Sequence, residues 1–151
     1  MPIQCDIVTQ ERTVFSKQVD AINLPGVEGR IGVLPNHTAL LTALSFGEVY
    51  VRTGGETEYF AIGGGFAEVQ PDHVIILADT AEAAEEIDLQ RAQAARDHAM
   101  QAMKEGVPDE ADRMRQIEAS LRRAEARLNV GRRRSTRRRA TIADMAPPPE
   151  E

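Results

Sequence analysis

Over the first eighty or so residues, apolar side chains recur at every second position in short stretches. Ile3, Cys5 and Ile7 alternate with polar neighbours, Val49 and Val51 flank Tyr50, and Ala67 and Val69 flank Glu68. That period of two belongs to half-buried strands. Turn residues break the pattern at Pro25-Gly26, Gly54-Gly55, Gly63-Gly64-Gly65 and Pro71-Asp72, where glycine supplies positive φ or proline fixes a turn. Gly54-Gly55 predicts a hairpin between strands near 49–52 and 57–62, and Pro71-Asp72 predicts another before 73–78. The triple glycine reads as a turn or bulge. Closely spaced strands of this kind predict a sandwich or flattened barrel.

The rhythm changes after Asp79. Residues 81–86 are rich in Ala and Glu and read as a linker or weak first turn. Strong helix formers then run from Ile87 to about Lys104. Gly106-Val107-Pro108-Asp109 stops that helix, and a second should start near Asp109. Met114, Ile117, Leu121, Ala124 and Leu128 form an apolar stripe of heptad spacing. Ala92, Ala95, Ala99 and Met103 form a smaller one on the first helix. Two helices joined by a short loop should lie antiparallel, alanine face against Met/Leu face. The fold class is therefore two-part, β then α: a β-sandwich over 1–84, a helical hairpin over 85–130 and a disordered basic, Pro-rich tail over 131–151.

Such a hairpin should be weakly held. Alanine removes little apolar area from water at about 25 cal/mol per Å², and isolated helices of this length are marginal. A movable element is the expectation.

Composition narrows the function classes. No apolar run reaches the roughly 20 residues of a membrane-spanning helix, and no charged-then-apolar leader is present, so a soluble, unexported protein is expected. The single Cys5 falls in an alternating apolar stretch and reads as a small buried hydrophobe rather than a reactive thiol. Net charge is −6, but six arginines against Asp144, Glu150 and Glu151 leave 131–151 at +3 and the body at −9. An acidic body argues against a nucleic-acid-binding core. No phosphate loop or nucleophile elbow occurs, and His37, His73 and His98 form no ligand cluster. The carboxylate pairs Glu85-Glu86 and Asp109-Glu110 stand where helix starts favour negative charge, so capping explains them. No catalytic site, metal site or required cofactor is expected.

One motif and one arginine cluster remain. In Ile87-Asp88-Leu89-Gln90-Arg91-Ala92, Asp88 can cap the helix while Ile87 and Ala92 fall at the two ends of a hydrophobic staple. Arg123 and Arg127 share a helix face by their i, i+4 spacing. In an antiparallel hairpin they approach Arg91, and three guanidinium forks can converge on a polyphosphate. Arginines on a helix ordinarily face solvent, so spacing alone leaves both readings open.

Four stretches in order resemble the epsilon subunit of F-type ATP synthases of bacterial type. They are Gly29-Arg30-Ile31-Gly32-Val33-Leu34-Pro35-Asn36-His37-Thr38-Ala39-Leu40-Leu41-Thr42, Gly63-Gly64-Gly65-Phe66-Ala67-Glu68-Val69, Leu77-Ala78-Asp79-Thr80-Ala81 and residues 87–92. The resemblance covers Met1 to about Val130. It implies a noncatalytic subunit of the rotating central stalk, with an N-terminal β-sandwich and a C-terminal helical hairpin. The implied partners are the gamma subunit, the c-subunit ring and the alpha and beta catalytic subunits. The implied location is peripheral, on the cytoplasmic face of the bacterial plasma membrane. The loop matched by Arg30, Pro35, Asn36, His37 and Thr38 would face the ring. In the extended state the second helix would enter the catalytic head and restrain ATP hydrolysis, with Arg113, Arg115, Arg122 and Arg123 meeting acidic surfaces. ATP, with or without Mg, is the implied regulatory ligand of the folded hairpin, at Glu82, Ile87, Asp88, Arg91, Ala92, Arg123 and Arg127.

The chain departs from that family at three places. Pro35-Asn36-His37-Thr38-Ala39 lacks a glycine and a proline of the family's ring-facing loop, and His98 stands where ATP-binding members carry an arginine. Residues 131–151 extend past the usual end. The arginines there suit anionic lipid or the acidic surface of the head, and a tail bound to the head would strengthen inhibition. Two rivals remain: a nucleic-acid-binding adaptor using the Arg-rich tail, and a nucleotide-binding enzyme, which would need a general base or metal site.

Overall fold

The computed structural model describes residues 2–106 and 111–144, with side chains through Arg133. Eight strands come first: β1 (Ile3–Val8), β2 (Thr13–Val19), β3 (Ala21–Gly26), β4 (Gly29–Val33), β5 (Leu40–Thr53), β6 (Glu56–Val69), β7 (His73–Ala78) and β8 (Ala81–Ala83). A single 3-10 turn, Ala84–Glu86, leads to α1 (Leu89–Glu105) and α2 (Ala111–Asp144).

The strands form one sheet in the order β2-β1-β7-β6-β5-β3-β4, with β8 paired to β6. Pairing is antiparallel except between β1 and β7. Folded on itself as a sandwich, this sheet encloses one face of every strand. Ile3, Cys5, Ile7, Val49, Val51, Ala67 and Val69, the alternating positions of the sequence, all lie in that core. The hairpin expected at Gly54-Gly55 joins β5 to β6, and Gly54 takes φ 61, a left-handed value that glycine adopts without a Cβ penalty.

The triple glycine does not end a strand. It lies inside β6, where that strand exchanges β7 for β8: Gly65 pairs with Ala78, whereas Ile62 pairs with Ala81. Asp79 and Thr80 form the corner between those partners, held by Asp79 N–H to Gly64 O at 3.2 Å and Gly63 N–H to Thr80 O at 2.9 Å. Gly65 has φ 124, and a Cβ there would overlap the carbonyl of Leu77. Of the 81–86 stretch, expected as a linker or weak first turn, residues 84–86 form the 3-10 turn, whereas 81–83 contribute β8, with Ala81 in the core and paired to Ile62.

Helix α1 starts as the sequence predicts. Asp88 is its N-cap, accepting the Arg91 N–H at 3.1 Å, and both staple residues, Ile87 and Ala92, are buried. The helices run antiparallel: Gly131 faces Ile87 and Leu89, while Ile117 and Ser120 share a pocket with His98 and Ala102. On α2, Ala124 and Leu128 are buried and Met114, Ile117 and Leu121 half-buried, along the expected stripe. On α1 the packed positions are Ala92 and Ala99, with Ala102 half-buried, whereas Ala95 and Met103 of the expected stripe are exposed. Spacings of seven and three keep this seam heptad-like, with Ala102 rather than Met103 in contact.

Helix α2 continues past residue 130 to Asp144. Val130 is fully buried with Ala61, Ala84 and Ile87, so this part of α2 is docked on the β domain. The expected helix start at Asp109 and the end of the tail, 145–151, lie outside the described residues. Among the described residues, no helix is long and apolar enough to cross a membrane.

Candidate functional site

The base of the hairpin meets the β domain around an open cleft of about 480 Å³. Its walls come from three parts of the chain. The β1–β2 turn supplies Thr9 to Arg12, the β7–β8 corner supplies Asp79 and Thr80 beside Glu82, and the helices supply Arg91, Arg123 and Arg127. Four guanidinium groups therefore share one concavity.

Two of them already face carboxylates. Arg127 donates Nε to Glu82 Oε2 at 2.7 Å and Nη2 to Oε1 at 3.3 Å. Arg12 donates Nη1 and Nη2 to the two oxygens of Glu86, each at 2.8 Å. Glu86 also accepts the Ala83 N–H at 3.0 Å, and the Arg12 guanidinium, then that N–H, hold its carboxyl below the usual carboxylate range. Arg123 lies over the Phe46 ring at 5.7 Å, and Phe46 itself packs beside Gly63. A Cβ at Gly63 would overlap the Thr80 hydroxyl, so this glycine lets the β7–β8 corner approach. Among the described residues, Arg91 and Arg123 form no ion pair with a carboxylate. A cleft with paired and unpaired guanidiniums from separate elements offers hydrogen-bond donors to several oxygens of one polyanion at once.

Of the residues singled out from the sequence for ATP, Glu82, Arg91, Arg123 and Arg127 line this cleft, whereas Ile87, Asp88 and Ala92 do not. Those three shape the root of α1 as buried staple and cap. His98 is exposed and lines a separate pocket of about 210 Å³ with Arg113, Gln116 and Ser120. Arg12, Thr9 and Thr80 escaped the sequence reading. For Thr80 the resembling stretch 77–81 held the signal; for Arg12 no local pattern exists, since only the β1–β2 turn carries it to the cleft.

The ring-loop residues separate into two places. Arg30 stands at the start of β4, where Nε donates to Asn23 Oδ1 at 2.5 Å, Nη2 to Glu48 O at 2.8 Å, and the guanidinium covers the Tyr50 ring at 5.1 Å. Pro35 to Thr38 follow the far end of β4. Asn36 takes φ 65 and its N–H bonds Pro71 O at 2.8 Å, tying this loop to the β6–β7 turn. His37 Nδ1 lies 2.7 Å from Thr38 O. On α2, Arg113, Arg115 and Arg122 are exposed, and Arg115 reaches Asp112 at 3.8 Å.

Residues 2–84 match the ATP synthase delta/epsilon chain β-sandwich domain, and residues 85–131 match the long α-helix domain of the same chain. The ATP synthase epsilon chain of Herpetosiphon aurantiacus is 50% identical over 137 residues, 91% of this chain and 99% of its own length. That of Dehalococcoides mccartyi is 47% identical over 133 residues, 87% and 94% of the two chains. Among solved structures, a chain of the Euglena gracilis mitochondrial ATP synthase superimposes with a TM-score of 0.72 at 32% identity, covering 83% of this chain and 78% of that one. A chain from the central stalk and c-ring of the Tetrahymena thermophila enzyme has a TM-score of 0.54 at 14% identity and shares the fold.

Proposed function

The chain belongs to the ATP synthase delta/epsilon family, as an epsilon subunit of the central stalk, and from that premise we propose that its hairpin is a movable, nucleotide-sensitive brake. The β domain couples the gamma subunit to the c-subunit ring, through which proton flow drives ATP synthesis. The subunit is noncatalytic and peripheral to the membrane, on its cytoplasmic face. With the hairpin extended, α2 enters the alpha/beta head and restrains ATP hydrolysis, its exposed Arg113, Arg115 and Arg122, together with Arg123, meeting acidic surfaces. With the hairpin folded, the cleft takes ATP.

One observation carries this reading: Arg91 from α1, Arg123 and Arg127 from α2, and Glu82 from β8 line a single cleft. A ligand held by all three elements exists only while they are together, so it favours the folded state by mass action. Arg127 would exchange part of its bond with Glu82 for phosphate oxygens.

Calorimetric titration of the full chain with ATP and Mg²⁺, repeated with Arg91→Ala and Arg123→Ala, tests it. Binding by the wild type that weakens about tenfold or more in each variant is expected, since charge-assisted bonds are among the stronger ones. Equal binding by all three proteins, or none by the wild type, would remove the nucleotide from the mechanism.

A further inference from the structure

We infer that residues 130–133 and Glu48 form a second clasp, which holds the hairpin folded independently of any ligand in the cleft. The inference rests on the movable-hairpin reading above. Arg133 donates Nε to Glu48 Oε2 at 3.0 Å and Nη2 to Oε1 at 2.7 Å. Its guanidinium also lies 4.9 Å from the Tyr59 ring centroid, a cation–π distance. The Glu48 side chain is only 16% exposed, so the β domain offers Arg133 a largely shielded carboxylate. Two residues earlier, Gly131 lets α2 come so near α1 that a Cβ would stand 2.5 Å from Leu89 Cδ2 and 3.2 Å from Ile87 Cγ2. One residue earlier still, Val130 is fully buried against Ala61, Ala84 and Ile87.

This clasp and the cleft are separate. None of Glu48, Tyr59, Val130, Gly131 and Arg133 lines the cleft. The Arg127–Glu82 fork does line it and competes with a polyanion for Arg127. α2 is thus fastened at one point that a ligand disturbs and at another that it does not touch. The second point sets how often the hairpin opens when the cleft is empty.

The test uses the full chain with spin labels on Thr53→Cys and Asn129→Cys, both exposed positions; the native Cys5 is buried. Pulsed electron resonance then reads the fraction of label pairs separated beyond the folded distance, with and without ATP and Mg²⁺. Glu48→Gln and Arg133→Ala should each raise that fraction about threefold without ATP, the scale expected of a fork that is partly screened by solvent. The exchange pair Glu48→Arg with Arg133→Glu should bring it back. If both single variants match the wild type while ATP or Arg127→Ala still shifts the fraction, the clasp is wrong and the movable hairpin stands. If no variant and no nucleotide condition ever yields separated pairs, the movable-hairpin reading falls and the clasp falls with it.

Discussion

Arg127 on α2 and Glu82 on β8, 45 residues apart in sequence, meet in a two-point fork at 2.7 and 3.3 Å. Both side chains are partly shielded, at 21% and 36% exposure, so the pair fastens helix to sheet more firmly than a fully exposed one would. A double-mutant cycle with Arg127→Ala and Glu82→Gln, read from urea unfolding, should give a coupling of about 1 kcal/mol that shrinks as salt rises. A coupling of zero would mean that the fork fastens nothing.

Gly65 should tolerate no side chain. Its φ of 124 and the overlap of a Cβ with the Leu77 carbonyl predict that Gly65→Ala costs about 2–3 kcal/mol. Gly55 sits in the hairpin turn with nothing near a Cβ, and Gly55→Ala should be close to neutral. Thermal melts of the two variants check the contrast, and equal melting temperatures would contradict it.

Asp88 acts here as a cap. Asp88→Ala should cost about 1 kcal/mol of hairpin stability, whereas Asp88→Asn, an equally good N-cap, should keep most of it. Circular dichroism melts of the two variants measure the difference. Equal loss in both would assign Asp88 a charge-dependent role instead.

Burial, aided by the neighbouring Asp6 carboxylate, pushes the Cys5 thiol up to about 12. The reactive thiolate is therefore scarce at neutral pH. Alkylation by iodoacetamide at pH 8 should be slower by 100-fold or more in the folded chain than in 6 M urea; comparable rates would place the thiol at the surface.

Acid should loosen the molecule in a defined window. The Ser16 hydroxyl, then His73 and Gln4, hold the Asp6 carboxyl low against the opposing effect of burial, and Arg12 does the same for Glu86. A carboxyl with a lowered folded value contributes its full stability above the ordinary carboxylate range and loses it as pH falls through the lowered value. The urea midpoint should hold steady from pH 7 to about 5 and then fall. Ser16→Ala and Arg12→Ala should each flatten part of that fall, and parallel curves for all three proteins would refute these two causes.

Much of the architecture was legible because local sequence encodes local geometry. Ile3, Cys5 and Ile7 alternate because β1 buries one face, and Asp88 precedes a helix because free N–H groups need an acceptor. The legible signals failed where partners are distant. Ala95 and Met103 fit the expected stripe yet stay exposed, because α2 covers the line through Ala92, Ala99 and Ala102 instead. Gly63 to Gly65 carry a turn signal yet continue a strand, because the corner at Asp79 and Thr80 fills the space they leave.

The site divides along the same line. Sequence alone determined that Arg91, Arg123 and Arg127 lie on helices, and that an antiparallel hairpin would bring them near one another, since helical spacing is a property of a few consecutive residues. Only the tertiary structure decided that Arg12 joins Glu82 in the cleft and that Arg133 finds Glu48. Those outcomes depend on which strands pair and how closely α2 approaches the sheet, and long-range packing of that kind leaves no trace in the spacing of neighbouring residues.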